Sequence, residues 1–191
     1  MPLRLAVFDL DFTVWQPEMY ELWGPPTLTN IDDVSLDSQI LKEARTCEKD
    51  MILTDRGDTP ITIFDGASFA LSEINRLRKE GYDIVAAAAS RTDQESWANV
   101  CLKYLIVHDE TTLQDCFEDR VDIDCFNDKT HHLRRLHQQT GIAYKDMAFF
   151  DNEYWNISCV SKLGVRCFYT PDGMTRSIWK EALTEFGMED C

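Results

Sequence analysis

Apolar residues along this chain fall into two patterns that alternate: short runs that stop on a polar residue, and longer stretches with apolar residues three or four apart. Residues 3–8, Leu-Arg-Leu-Ala-Val-Phe, are mostly apolar and lack turn formers, which predicts a buried strand ending at Asp9. From residue 69 to 80, Leu71, Ile74 and Leu77 repeat at helical spacing and Gly81 follows as a C-terminal cap, so a helix is predicted there. Residues 83–89, Asp-Ile-Val-Ala-Ala-Ala-Ala, predict a second buried strand ending at Ser90. Thr92 and Glu95 stand at capping-box spacing, and Trp97, Val100, Cys101, Tyr104 and Leu105 then trace one helical face. The cycle continues with a strand over residues 121–126, ending at Phe126, and a helix over 130–139 that carries Leu133 and Leu136 and closes at Gly141. A strand over 147–150 ends at Asp151, and a helix with Ile157, Val160 and Leu163 stops at Gly164. Residues 165–169 form a last strand, and Ile178, Trp179, Ala182, Leu183 and Phe186 mark a last helix.

Strands alternating with helices imply a parallel sheet covered on both faces, a doubly wound α/β fold of the Rossmann type. Residues 12–66 interrupt the alternation with Pro17, Gly24-Pro25-Pro26, Asp32-Asp33 and Asp55-Arg56-Gly57-Asp58, the last between two β-prone runs. That stretch predicts a hairpin with Pro60 marking an edge strand. The expectation is one domain over residues 1–191, with a small cap or hairpin excursion at 12–66. A helix and a strand use most of the chain between Ser90 and Lys129, leaving no room for a second large cap. No internal repeat or low-complexity segment interrupts the order.

Composition narrows the function. Hydrophobic residues at 44% and charged residues at 28% are those of a folded domain rather than a disordered chain. The formal net charge of −15 argues against nucleic acid or an anionic membrane surface as partner, since either needs a basic patch. An acidic protein that handles phosphate needs a cation. No apolar run approaches the roughly 18 residues of a membrane span, and the N-terminus lacks the basic flank and apolar core of a signal peptide, so a cytoplasmic location is expected. The seven cysteines are odd in number and irregularly spaced, with no Cys-x-x-Cys, which suggests neither a disulfide framework nor a zinc ribbon. None is followed by five residues and then Arg, which removes the signature of cysteine-dependent phosphatases.

In open parallel sheets, ligands sit beyond the carboxyl ends of the strands, near the switch in strand order. The residues at those ends are Asp9 and Asp11, Ser90 and Arg91, Lys129, and Asp151 with Asn152. They combine carboxylates for a hard cation, a hydroxyl and an ammonium for phosphate oxygens, and one surplus carboxylate. Mg²⁺ takes one or two carboxylates with waters and substrate phosphate, and Asp9 and Asp151 can supply them. Two unit charges about 4 Å apart interact by roughly 4 kcal/mol at an effective dielectric of 20, so a carboxylate approaching a phosphate dianion needs such cationic help. Mg²⁺ and Lys129 together would provide it.

The order of these motifs resembles that of the haloacid dehalogenase superfamily of phosphatases. Asp9-Leu10-Asp11-Phe12-Thr13 matches its first motif, Ser90 its second, Lys129 its third and Asp151 its fourth. A closer resemblance, to the magnesium-dependent phosphatase family, runs through Phe8 to Trp15, Ala87-Ala88-Ala89-Ser90-Arg91-Thr92, Phe149-Phe150-Asp151-Asn152-Glu153 and Ser161-Lys162-Leu163-Gly164-Val165. It covers both ends of the chain, with a poorer match from 17 to 50. The resemblance implies Asp9 as a nucleophile forming an aspartyl-phosphate, and Asp11 as general acid and then base. It also implies Mg²⁺ on the Asp9 carboxylate, the Asp11 backbone carbonyl and Asp151, with Ser90, the Arg91 amide and Lys129 on the phosphoryl group. Asn152 departs from it, standing where many relatives carry a second acid, which implies a less charged outer shell for the metal. The implied substrates are phosphotyrosine in proteins or a phosphorylated sugar or glycated amine.

Taken singly, each of these residues has a plainer reading. An Asp-x-Asp pair often caps a turn after a strand, Ser90 can simply precede a helix, and Lys129 can be a solvated charge. His131, His132 and His137 on one helix read as a polar face, and the tryptophans at 15, 23, 97, 155 and 179 read as packing residues. Arg56 is either a polar turn residue or a substrate contact. Two other functions compete with the phosphatase: a phospho-accepting receiver domain, and a silent binding module on the same fold. In receivers the lysine follows the phosphorylated aspartate, whereas here the candidate acceptor opens the chain and Asp151 closes the series. A silent module would require the loss of Asp9, Asp11 or Lys129, and all are present.

Overall fold

The computed structural model describes residues 2–125 and 127–189. The first apolar run forms β1 (Leu5–Phe8), buried along its whole length. Residues 12–66 then leave the main sheet. They contain β2 (Trp15–Gln16), β3 (Thr27–Asn30), α1 (Ser38–Glu43), β4 (Met51–Thr54) and β5 (Thr62–Ile63). Asp37 starts α1 by accepting the Gln39 and Ile40 N–H groups at 2.9 Å. The turn expected at Asp55-Arg56-Gly57-Asp58 is present, with Asp55 Oδ1 accepting the Gly57 and Thr59 N–H groups at 2.8 and 2.9 Å. The two flanking strands, however, do not form one hairpin. β4 pairs antiparallel with β3, and β5 pairs antiparallel with β2, so each run has found a distant partner. A bridge between Thr54 and Pro60 is what remains of the expected pairing.

α2 (Asp65–Lys79) begins earlier than its apolar spacing suggests, because Gly66 and Ala67 lie in its buried first turn. A Cβ on Gly66 would come within 2.3 Å of the Met174 carbonyl and the Thr175 backbone, so this turn is packed by smallness rather than by large apolar groups. β6 (Val85–Ser90) follows, then α3 (Glu95–Tyr104). The expected capping box does not form there. Thr92 instead accepts the Gln94 N–H at 3.1 Å, and the helix starts only after Gln94. Between α3 and the next main strand lie elements that the apolar pattern does not indicate: β7 (Ile106–His108), β8 (Thr111–Thr112) and α4 (Leu113–Phe117). Here a capping box does form, between Thr112 and Asp115. The remaining elements are β9 (Val121–Ile123), α5 (Thr130–Thr140), β10 (Met147–Asp151), α6 (Tyr154–Val160), β11 (Arg166–Tyr169) and α7 (Arg176–Glu185). β9 is shorter than expected, and the Phe126 end of that expectation lies outside the described residues. Gly141 takes φ +69° after α5, as a helix-ending glycine should.

Among the described residues the main sheet has the order β11-β10-β1-β6-β9, all parallel. Side chains alternate between its faces with a period of two. Leu5, Val7, Ala87, Ala89, Met147 and Phe149 share one cluster with Leu133 and Leu136 of α5 and Val160 of α6. Ala6, Phe8, Ala86, Ala88, Phe150 and Phe168 share the other with residues of α2, α3, α4 and α7. The aligned Phe8, Phe150 and Phe168 stack across three strands with centroids 4.9 and 5.2 Å apart. Burying each such ring stabilises the sheet by about 1.5–3 kcal/mol. From β1 the chain steps outward to β6 and β9, then returns across the sheet to β10 on the other side of β1. The switch in order therefore falls between β1 and β10. No helix among the described residues is long and apolar enough to cross a membrane.

Candidate active site

Phe8 is in register with both Phe150 and Ala88, so β10 ends one residue beyond β1, at Asp151, and β6 two residues beyond it, at Ser90. Asp9 directly follows β1, its N–H donating to the Phe150 carbonyl at 2.9 Å. The chain then doubles back in a tight loop. Val14 and Trp15 donate to the Leu10 carbonyl at 2.8 and 3.2 Å, Phe12 donates to the Trp15 carbonyl at 2.9 Å, and Phe12 takes φ +52°. This loop turns Asp11 back over the strand end. Thr13 anchors the loop by accepting the Asn152 N–H at 3.1 Å, with its hydroxyl 3.2 Å from that of Thr170.

Asp9, Asp11, Ser90, Arg91, Lys129 and Asn152 line a cleft of about 240 Å³, with Glu18, Tyr20, Asp93 and Glu153 toward its rim. Asp151 lies fully buried beneath. Lys129 is almost wholly buried, and its ammonium donates to Asp9 Oδ1 and to the Ala89 carbonyl while standing 3.8 Å from Asp151 Oδ2. One cation therefore joins three strand ends. Asn156, on α6, donates to both Asp151 oxygens at 3.2 and 3.0 Å and to Glu153 at 2.8 Å, and accepts from Arg91 at 3.1 Å. Ser90 Oγ accepts the Thr92 N–H at 3.3 Å.

Burial raises the Asp9 carboxyl above its ordinary range, against the pull of the Lys129 charge. Burial and the neighbouring Asp9 charge push Asp11 up to about 7, opposed by the Trp15 indole N–H and the Met19 peptide. The same two causes, burial and then Asp9, push Asp151 up to about 7. Three carboxyls thus face one ammonium, and the cluster is short of positive charge. Among the described residues no group of three or more His, Cys, Asp or Glu side chains is arranged to hold a metal. A closed, all-protein cage is therefore not what this site offers. Two carboxyls at adjacent strand ends, with room for water and phosphate, form the donor set that suits Mg²⁺.

The structure brings every predicted site residue to this cleft or directly beneath it. It places Arg56 elsewhere: the Arg56 side chain lies against Gly24, and the Arg56 backbone N–H donates to the Trp23 carbonyl at 3.2 Å. The histidines also lie apart, His132 buried with Nδ1 2.9 Å from Asp122 and His137 bonded to the Ile142 carbonyl at 2.7 Å. The tryptophans are not all packing residues. Trp15 and Trp179 are fully buried, but Trp23 and Trp155 are 71% and 63% exposed. Sequence reasoning missed Asn156, Glu153, Glu18, Tyr20 and the polar role of Trp15. Five positions after Asp151, an amide on the first turns of a helix was the available signal for Asn156.

The chain matches the acid phosphatase family over residues 2–189. It is 32% identical to human magnesium-dependent phosphatase 1 over 184 residues, covering 96% of this chain and 86% of that protein. Among solved structures it is similar to a haloacid dehalogenase-like family hydrolase from Xanthomonas campestris, with TM-score 0.57 and 15% identity over 97% of this chain and 96% of the other. It is also similar to a haloacid dehalogenase family enzyme from Bacteroides thetaiotaomicron solved with magnesium and inorganic phosphate, with TM-score 0.50 and 15% identity over 88% of this chain and 94% of the other.

Proposed function

The chain belongs to the acid phosphatase family within the haloacid dehalogenase superfamily, and from that premise we propose that it hydrolyses phosphomonoesters with Mg²⁺ through an aspartyl-phosphate on Asp9. The observation that carries this reading is the pairing in one cleft of two unlike carboxyls. Burial raises both, but Asp9 is in contact with a buried ammonium that favours its charged form, whereas Asp11, two residues on, meets the neutral Trp15 indole and is pushed up to about 7. The carboxyl held against a cation keeps the anionic oxygen that attack needs, and the one without a cationic partner is suited to proton transfer.

In the first step an Asp9 carboxylate oxygen attacks phosphorus, the bond from phosphorus to the leaving oxygen breaks, and the Asp11 hydrogen passes to that oxygen. In the second, water attacks the acyl phosphate and gives its proton to the Asp11 carboxylate, releasing phosphate and restoring Asp9. The Ser90 hydroxyl, the Arg91 amide and the Lys129 ammonium hold the phosphoryl oxygens. Asp9, the Asp11 backbone carbonyl and Asp151 would hold Mg²⁺, which when bound adds positive charge against the phosphoryl oxygens. Asn156, through its two bonds to Asp151, keeps that carboxylate oriented. We take the enzyme to be a single cytoplasmic domain, with the excursion at 12–66 in place of a large lid. Its substrates in this reading are phosphotyrosine in proteins or a phosphorylated sugar or glycated amine, admitted past the exposed Tyr20. The receiver and silent-module readings gain no support from a cleft that holds both carboxyls and the ammonium.

Chelation should reduce phosphatase activity to background and added Mg²⁺ should restore it, while Ca²⁺, with a larger and looser shell, should inhibit. Undiminished turnover in chelator would refute the metal-dependent mechanism.

The pH profile follows from Asp11. Its raised carboxyl holds the transferable hydrogen below about 7 and loses it above. Mg²⁺ held by Asp9 would offset the charge that helps raise Asp11 and so move this point down, and at saturating Mg²⁺ kcat/KM for an alkyl phosphate should fall about tenfold per unit on the alkaline side. In Asp11→Asn that limb should be absent; a limb that persists there belongs to another group.

A further inference from the structure

Trp15 begins β2 and is wholly enclosed, yet its indole Nε1–H is directed at a catalytic carboxyl: it donates to Asp11 Oδ1 at 2.8 Å. Packing alone does not require this. Trp179 is equally buried, and its indole nitrogen has no hydrogen-bond partner among the described residues. The Trp15 main chain is also held from several sides. It pairs with Ile63 of β5, forms a bridge with Asp11, and donates its backbone N–H to the Leu10 carbonyl at 3.2 Å.

An indole N–H can only donate, so the carboxyl oxygen it meets must act as acceptor. When Asp11 carries a hydrogen, that hydrogen is directed to Oδ2 rather than into the Trp15 contact. The same bond restricts rotation of a carboxyl that must meet the leaving oxygen in one step and the attacking water in the next. We infer that Trp15 is the positioning residue of the acid–base catalyst, fixing which Asp11 oxygen carries the transferable hydrogen and where it points. This rests on the reading of Asp11 as general acid and base. No atom of Trp15 enters the reaction: the hydrogen leaves Asp11 Oδ2 for the departing oxygen, and the indole N–H keeps its own.

The test is leaving-group dependence, which a purely structural role would not change. Values of kcat/KM would be measured for an alkyl phosphate and a series of aryl phosphates of increasing leaving-group acidity, with Asp11→Asn, Trp15→Phe and the parent enzyme. A fourth protein would carry 3-benzothienylalanine at position 15, which keeps the shape of the indole but replaces N–H with sulfur, so the measurement survives if the Phe variant folds poorly. Both position-15 variants should lose about 10- to 100-fold with the alkyl phosphate and under about threefold with the most activated aryl phosphate, approaching the pattern of Asp11→Asn. A uniform fall across the series in the benzothienyl protein, beside a leaving-group-dependent fall in Asp11→Asn, would overturn the role of Trp15 and leave Asp11 as the acid. If Asp11→Asn itself falls uniformly, the acid assignment fails and the inference falls with it.

Discussion

Asp9→Asn and Asp11→Asn should fail at different points of the same reaction. With an activated aryl phosphate, rapid-quench mass spectrometry should find a phosphate adduct on Asp9 in the Asp11 variant and none in the Asp9 variant. Asp9→Asn removes the attacking oxygen, so turnover should drop on the order of 10⁴-fold or more for every substrate. Asp11→Asn keeps the nucleophile, and an aryl leaving group departs without much protonation, so Asp9 is phosphorylated slowly. The adduct then persists because the hydrolytic water has no base. With alkyl phosphates the same variant should lose roughly 10²- to 10⁴-fold, since their leaving oxygen needs the proton. An adduct on Asp11, Ser90 or a cysteine would replace this mechanism with another.

Lys129→Met should be nearly as damaging, and its effect on stability should depend on pH. The ammonium contacts Asp9 and lies 3.8 Å from Asp151, and all three side chains are nearly or wholly buried. Removing one partner of a buried ion pair costs about 3–5 kcal/mol, because it strands the other charge. Activity should fall on the order of 10²- to 10³-fold as the phosphoryl oxygens lose their fixed cation. Asp9 and Asp151 are already raised above the ordinary aspartate value of 3.8, and Lys129 is a charge that holds both down. Without it they rise further. A carboxyl raised in the folded state contributes its stability below the unfolded value and loses it as pH climbs through the folded one. For Asp151 that window opens at 3.8 and runs to about 7 in the parent, and higher in the variant. Urea unfolding should therefore show a deficit that is largest near pH 8 and shrinks toward pH 5 as the carboxyls take up protons. A deficit that does not vary with pH would mean the lysine is not coupled to them.

The main sheet was legible because a strand covered on both faces must be apolar throughout, so the polar residue that ends it is conspicuous. Asp9, Ser90 and Asp151 all stand out in that way. Helix starts were harder to read. The first turn of α2 is packed by Gly66 and Ala67, whose contribution is the absence of bulk, and an apolar count does not register it. At residue 92 a short-range turn competed with the capping box and won, although the same device forms at Thr112, in a stretch where no element was expected. The pairings of β2 with β5 and β3 with β4 join residues far apart in sequence, so no local pattern reports them. Within the site, the amide beside Asp151 in sequence drew notice, yet Asn156 is the one that touches it. Chain adjacency at a strand end does not guarantee contact, whereas a helix that folds back over that end delivers a residue from its own first turns.

The pairing of Gln16 with Thr62 has a consequence for how this scaffold can be altered. Both feet of the loop 17–61 stand on one rung of a ladder, so whatever is spliced between them begins and ends at the same place. Doubling the length of such a loop adds only about 0.6 kcal/mol of closure entropy. Glu18, Tyr20 and the Met19 peptide that faces Asp11 would change with a graft, while Asp11 and Trp15 themselves, below the rung, would stay. Met19, Leu22, Leu53 and Ile61 of this segment are buried in the main core, so a graft must replace their packing; chimaeras that do so at this stem should differ in the substrates they accept while keeping the same phosphorylated aspartate.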